Sequence, residues 1–186
     1  MIKIATAECF THGKIGRELH AIAQSYEGNF GCEYVENLQD YGDFDYGELS
    51  VTCSLFIPTI EAVVKILNVE NPPKPDMLIK GIKVYDEAGD KKVSKIMAQA
   101  VKDLSDCDIA VGTTAGVGRG AISVITDKYE ITLTTDVYAD LSENDSEALF
   151  KRSENGIAKA LEITLLLLNR RIDKIRSLEN VEITEK

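Results

Sequence analysis

The sequence predicts an α/β protein: a single layered domain over residues 1–186, with a mixed β-sheet flanked by helices. Three observations predict it. Strand-like and helix-like segments alternate along most of the chain. Two Ile/Val/Thr-rich runs, Ala121 to Thr126 and Glu130 to Val137, are joined by a short turn, which adds a hairpin to the alternating pattern. The chain has 186 residues, 44% of them hydrophobic, which suits one core better than two.

The elements follow in order. Residues 2–7 alternate weakly and carry Ile and Thr, predicting a first strand. The polar turn Phe10-Thr11-His12-Gly13 leads into a helical stripe at Ile15, Leu19, Ile22, Ala23 and Tyr26. Gly28 and Gly31 mark its end. A second strand is expected from Cys32 to Val35. Residues 37–48 form an acidic loop in which Tyr41, Phe44 and Tyr46 either pack down or serve as a lid stacking on a ring. Glu48 to Ser54 reads as a strand. Pro58 suits the first position of a helix running to Leu67, with the stripe Ile60, Val63, Val64 and Leu67. Asn71-Pro72-Pro73-Lys74-Pro75 is a stiff surface connection, since neither side is long enough for a separate core.

Ile79 to Tyr85 is expected as one strand. Helix 90–104 carries the stripe Val93, Ile96, Met97, Ala100, Val101 and Leu104. Strand Cys107 to Val111 enters a glycine loop at 112–120, and the hairpin follows with its turn at Asp127-Lys128-Tyr129. The last helix starts near Ser146 and is expected to reach Leu178. Its middle is apolar on more than one face, which predicts a second subunit against it and hence a homodimer.

The charge balance is acidic, 31 Asp+Glu against 21 Lys+Arg. Nucleic-acid backbones and anionic membranes attract clustered positive charge, so neither is expected as the main partner. A small phosphate ligand stays possible, because backbone N–H groups bind anions without net basic charge. Met1 leads straight into the first strand, with no apolar leader. The longest apolar stretch, Leu161 to Leu168, is interrupted by Glu162 and Thr164 and is too short to span a bilayer. The expectation is a cytoplasmic protein with reduced cysteines. Cys9, Cys32, Cys53 and Cys107 form no C-x-x-C pair, so no metal site is predicted.

Cys9 is the residue on which chemistry centres. It ends a strand just before a helix, where free N–H groups and the helix dipole favour a thiolate and stabilise an oxyanion. His12 follows three residues on as a candidate base or imidazolium partner, and Lys14 adds positive charge. Strand alternation turns Glu8 to the opposite face. The competing reading is a buried, inert thiol. Cys32, Cys53 and Cys107 lie in apolar strand-like contexts and read as core.

The loop Gly112-Thr113-Thr114-Ala115-Gly116-Val117-Gly118-Arg119-Gly120 is the second candidate. Its glycines permit tight turning, its amides an anion nest, and Arg119 a phosphate contact. It lacks the Gly-Lys-Ser/Thr ending of a P-loop. A strand follows it where a dinucleotide fingerprint requires a helix. A plain turn between strands explains it equally well on spacing. If the Cys9 strand and strand 107–111 are parallel, both features open into one crevice at the strands' carboxyl ends. The candidate site is then Cys9 and His12 for catalysis, with Thr11, Gly13, Lys14, Thr113, Thr114, Gly116, Gly118 and Arg119 for ligand binding.

The segments Ala5-Thr6-Ala7-Glu8-Cys9-Phe10-Thr11-His12-Gly13-Lys14-Ile15-Gly16 and Thr113-Thr114-Ala115-Gly116-Val117-Gly118-Arg119-Gly120 resemble the HcgF family of methanogenic archaea. That family works in biosynthesis of the FeGP cofactor of [Fe]-hydrogenase. Length and segment order agree over essentially the whole chain. The resemblance implies that a partner enzyme, HcgE, adenylylates the carboxyl group of guanylylpyridinol. The family's cysteine, at Cys9 here, then attacks that acyl-adenylate, releases AMP and holds the pyridinol as a protein thioester. No cofactor or metal is required for such a step. Two other functions stay open on the residues alone: a hydrolase using Cys9, and a non-catalytic nucleotide-binding or scaffold protein.

Overall fold

The computed structural model describes residues 1–26, 33–143 and 145–186. The first strand, β1 (Ile2–Glu8), is central, because β2 (Leu49–Phe56) and β5 (Ile109–Thr114) both pair with it in parallel. Between them come helix α1 (Lys14–Gln24), helix α2 (Ile60–Lys65), the short strands β3 (Met77–Ile79) and β4 (Ile82–Val84), and helix α3 (Glu87–Ser105). After β5, the two-residue strand β6 (Val117–Gly118) precedes the hairpin β7 (Ala121–Ile125) and β8 (Tyr129–Thr134). Strand β9 (Ala139–Asp140), helices α4 (Ser146–Leu168) and α5 (Ile172–Ser177) and strand β10 (Val181–Glu185) complete the chain.

The six-stranded sheet has the order β10-β8-β7-β5-β1-β2, antiparallel from β5 outward to β10. It is the predicted mixed sheet in a single-domain α/β fold. Alternation along β1 sends Ile4 toward the core that holds α1 and α4, and Ala5 and Ala7 toward the core that holds α2 and α3. The two layers approach closely. A Cβ on Gly112 would strike the backbone of Ser94 and Ala98 in α3, and one on Gly156 would strike the Phe10 ring.

Several expectations are corrected. The strand predicted to start at Cys32 begins outside the described residues, as do Gly28 and Gly31, and Glu33 and Tyr34 form a turn. Both edges of β1 are already taken by β2 and β5, so no free edge is left for this segment to pair with β1. Pro58 lies outside its helix. Thr59 is the N-cap, its Oγ1 accepting from the Ala62 amide (3.1 Å). The stripes predicted for helices 58–67 and 90–104 each include an exposed residue, Val64 at 39% and Leu104 at 54%. The predicted strand Ile79 to Tyr85 is instead split by a hairpin turn, because Lys80 and Gly81 both adopt positive φ (51° and 84°); Ile79 ends the first arm and Ile82 to Val84 form the second.

The last helix stops at Leu168. Asn169 caps it by donating to Leu165 O (2.8 Å), and Arg170 turns left-handed (φ 59°). The single-helix reading had absorbed α5; beyond it β10, which the sequence reading did not anticipate, pairs with β8 and lengthens the sheet. The apolar surround of α4 is covered by the sheet, α1, α5 and the three aromatics Tyr41, Phe44 and Tyr46. The pattern that predicted a second subunit is therefore satisfied within the chain. The acidic loop is anchored at Asn169, whose Oδ1 accepts from the Phe44 amide (2.9 Å). That is 17 residues along from Arg152, about 25 Å of helix, so the loop is no lid over Cys9. Among the described residues no helix is long and apolar enough to cross a membrane.

Candidate functional site

The site forms where β1 runs out of the sheet. The Cys9 amide donates to Thr113 O and to Thr113 Oγ1, both at 3.1 Å, while the Ile57 amide donates to Glu8 O (2.6 Å). These bonds carry the parallel pairing one step past the ends of β1, β2 and β5. The chain then turns sharply: the His12 amide donates to Cys9 O (3.2 Å), and His12 and Gly13 take positive φ (57° and 80°). The turn places Cys9 and His12 in one cleft of ≈ 150 Å³, walled by Phe56, Pro58, Ile82, Leu141 and Leu149, with Arg152 also reaching it. Cys9 itself is 5% exposed, so its sulfur meets the outside only through this cleft. A larger groove of ≈ 570 Å³ between α2 and α3, edged by Leu67, Asn68, Asp103 and Leu104, holds no nucleophile.

The helix N-terminus next to Cys9 is occupied. Glu8, fully buried and on the opposite face of β1, accepts from the Ile15 amide (3.1 Å) and the Gly16 amide (2.9 Å). It also accepts from Thr11 Oγ1 (2.7 Å) and Thr6 Oγ1 (2.9 Å). Burial raises the Glu8 pKa, and these four donors pull it back. The dipole and amides of α1 therefore serve Glu8, which corrects the expectation that they act on Cys9 or on an oxyanion.

The other turn residues have structural partners. Thr11 Oγ1 also lies 2.9 Å from Thr113 Oγ1, so the two threonines tie the Cys9 turn to β5. Gly13 is the N-cap of α1. Lys14 turns away to Tyr34 (3.2 Å) and Glu154 (3.1 Å). His12 faces the cleft, its ring edge-on to Phe56 and its Nδ1 3.5 Å from Ser153 Oγ. Burial, and secondarily the Lys14 charge, lower its pKa and favour the neutral imidazole.

The glycine loop does bind an anion, but an internal one. Gly116 donates its amide to Asp90 Oδ2 (2.8 Å), and Val117 donates to Tyr85 O (2.8 Å). Arg119 donates Nε and Nη2 to Glu87 (3.0 and 2.7 Å) and its amide to the same carboxylate. The carbonyls of Gly116 and Gly118, with that of Ala139, accept from Arg152 Nη1 at 3.1, 2.8 and 2.7 Å. Thr114 is buried beside Asp90. The loop is thus a packed junction, with Gly112 to Thr114 belonging to β5. It joins the wall of the cleft through Ala115, and its amides at 116, 117 and 119 are already used.

Sequence reasoning missed three buried charges around the sulfur. Lys83, fully buried, donates Nζ to Ile57 O (2.7 Å) and Pro58 O (3.2 Å). Cys9 Sγ stands 4.0 Å from the same Pro58 O. Burial lowers the Lys83 pKa, while contact with Cys9 and the field of Asp90 raise it. Asp90 is pushed up to about 7 by burial, against its bond to Gly116 and the charges of Arg152 and Lys83. Burial lowers the pKa of Arg152, opposed first by Asp90 and then by Cys9. The available signal was each charge's place in an apolar pattern: Lys83 between Ile82 and Val84, Asp90 three residues before Val93. Cys107 is buried against Ile109 O (3.2 Å) and Cys53 is half-buried, as core cysteines. Cys32 lies outside the described residues. Among the described residues no group of His, Cys, Asp and Glu is arranged to hold a metal.

The arrangement offers one buried thiol at the floor of an apolar cleft, at the carboxyl ends of three parallel strands. Comparison with known proteins identifies the family. The family described as FeGP cofactor biosynthesis protein HcgF matches residues 1–168. A UPF0254 protein of Methanopyrus kandleri is 42% identical over 185 residues, covering 98% of this chain and 96% of its own. A UPF0254 protein (MTH1148 homolog) of Methanothermobacter thermautotrophicus strain Winter is 42% identical over 164 residues, covering 88% of this chain and 93% of its own. One from Methanococcus vannielii is 42% identical over 170 residues, with 91% and 96% covered. The chain belongs to the HcgF family, whose role is in FeGP cofactor biosynthesis.

Proposed function

We propose that Cys9 accepts the acyl group of adenylylated guanylylpyridinol as a protein thioester. The supporting observation is the position of its sulfur, the nucleophile at the base of a cleft beyond the parallel strands. Sγ adds to the acyl carbon, the C–O bond to the adenylate phosphate breaks, and AMP leaves. The acyl-adenylate, supplied by HcgE, is already activated, so the protein contributes a thiolate and positioning.

The cleft volume of ≈ 150 Å³ is well below the ~300 Å³ at which drug-sized sites begin, and suits a single ring. On this reading the pyridinol ring enters and the guanylyl part stays outside, at the rim beside Phe56 and Leu149. The 112–120 loop positions the cleft and leaves the guanylyl phosphate to other groups. The apolar walls keep water from the thioester, which favours a held acyl group over hydrolysis.

The test is intact-protein mass spectrometry after incubation with guanylylpyridinol, ATP and HcgE. The expected result is a mass gain of one guanylylpyridinol acyl group, removed by hydroxylamine and absent in Cys9→Ser. No adduct on wild type, under conditions where the acyl-adenylate demonstrably forms, would move the function to hydrolysis or to binding alone.

A further inference from the structure

The acyl-transfer reading needs a group to take the thiol proton, and the structure holds one that the sequence did not reveal. We propose that Cys9 and Lys83 form a nucleophile–base dyad, in which the Lys83 amine takes the Cys9 proton as the sulfur attacks. The inference rests on the proposed acyl transfer and names its base.

The argument starts from valence. Lys83 Nζ donates to Ile57 O (2.7 Å) and Pro58 O (3.2 Å), and the Cys9 thiol donates to the same Pro58 O at 4.0 Å, so amine and sulfur meet on one carbonyl and interact there. A neutral amine has two N–H groups and one lone pair. The two carbonyls take the N–H groups, and a turn of the S–H from Pro58 O toward the lone pair would hand over the proton. An ammonium has three N–H groups: the same carbonyls take two, and the thiolate takes the third. Both protonation states are satisfied by the same three groups, with only the S–H turning between them.

The setting favours a titratable lysine. Lys83 is fully buried with no carboxylate hydrogen-bonded to it, so burial keeps its pKa below the ordinary lysine range. The charged groups facing the pair come from three elements. Asp90 on α3 favours the ammonium. Arg152 on α4 is a second buried cation within the field of Cys9. His12 in the β1–α1 turn borders the cleft, but its contacts are Ser153 and Phe56. Tyr85, next but one to Lys83, is pushed up to about 12 by burial and stays neutral.

The step balances. The S–H bond breaks and an N–H bond forms on Lys83. Sγ forms a bond to the acyl carbon, and the acyl C–O bond breaks with its electron pair leaving on AMP. Lys83 then holds the proton as an ammonium. It lies behind the sulfur, outside the cleft lining, so it stays clear of the incoming acyl group.

The test is the rate of Cys9 alkylation by iodoacetamide from pH 5 to 10, read by peptide mass spectrometry so that the four cysteines are resolved. Wild type is expected to show two inflections, because the two protons of a coupled pair come off in two steps. Folded Lys83→Met is expected to show one inflection and at least tenfold slower alkylation at pH 7. Lys83→Arg keeps a cation that does not titrate here, and is also expected to show one. Fold is checked by near-ultraviolet circular dichroism. A single-inflection wild-type profile, or a folded variant whose profile superimposes on wild type, would overturn the dyad. If the dyad profile holds but no guanylylpyridinol adduct forms, the acyl-transfer reading falls by itself. If the adduct forms and the profiles superimpose, only the dyad falls.

Discussion

Glu8 and Cys9 are neighbours in sequence and occupy opposite chemical worlds. On the Glu8 side of β1, a carboxylate is wrapped by four donors and seals the start of α1. On the Cys9 side, a thiol shares one carbonyl acceptor with a buried lysine and borders a cleft. The helix dipole closest in sequence to Cys9 serves its neighbour. The cation closest in space arrives from β4, 74 residues later in the chain. A strand–cysteine–helix pattern is therefore a good guide to where the cysteine sits and a poor guide to which groups surround it.

The comparison makes Glu8 a structural group, so breaking it has the largest expected effect on stability. Glu8→Ala leaves two buried amides and two hydroxyls without their acceptor. A loss on the order of 4 kcal/mol is expected by urea unfolding. Arg152→Met strips three buried carbonyls of their shared donor, with an expected loss of roughly 3 kcal/mol. Stability close to wild type in either variant would mean these clusters are not what closes the junction.

Asp90 sharpens the contrast through pH. Its folded pKa of about 7 lies above the ordinary 3.8, so the folded chain holds the proton more tightly than the unfolded one. Its contribution to stability is complete below about 3.8 and is lost as pH rises through about 7. Glu8, also raised, adds the same sign. Asp90→Asn is expected to flatten this fall, by on the order of a few kcal/mol across the window, in unfolding curves taken at pH 4 to 8. An unchanged slope would remove Asp90 from the account. The smallest effect belongs to Lys14, whose partly exposed pairing with Glu154 is solvent-screened. Lys14→Ala is expected to cost at most about 1 kcal/mol and to leave Cys9 alkylation unchanged.

The sequence carried the layered α/β fold, because hydrophobic periodicity is a local signal and each layer has its own. It also carried Cys9, whose place at the end of β1 follows from that periodicity. What stayed hidden was in part local turn and cap geometry and in part contacts far apart in the chain. The Lys80-Gly81 turn split an apparent strand, and Asn169 ended an apparent single helix through a side-chain cap. Glu8 and α1 satisfied each other, leaving the helix terminus closed. The glycine loop was read as a possible anion nest for a ligand, but composition could not show that the Gly116 amide is already taken by Asp90, 26 residues upstream. Lys83 was missed despite its apolar neighbours Ile82 and Val84, because a lone lysine in a strand ordinarily faces water and only the assembled fold buries it near Cys9.

The most direct measurement of the central claim is the stoichiometry of AMP release. The protein is mixed with excess pre-formed acyl-adenylate of guanylylpyridinol, and AMP and acylated protein are followed together. The account predicts a burst of about one AMP per chain that then stops, matched by an equal amount of Cys9 thioester. AMP release that continues linearly with no acylated chain accumulating would contradict it and make the protein a hydrolase.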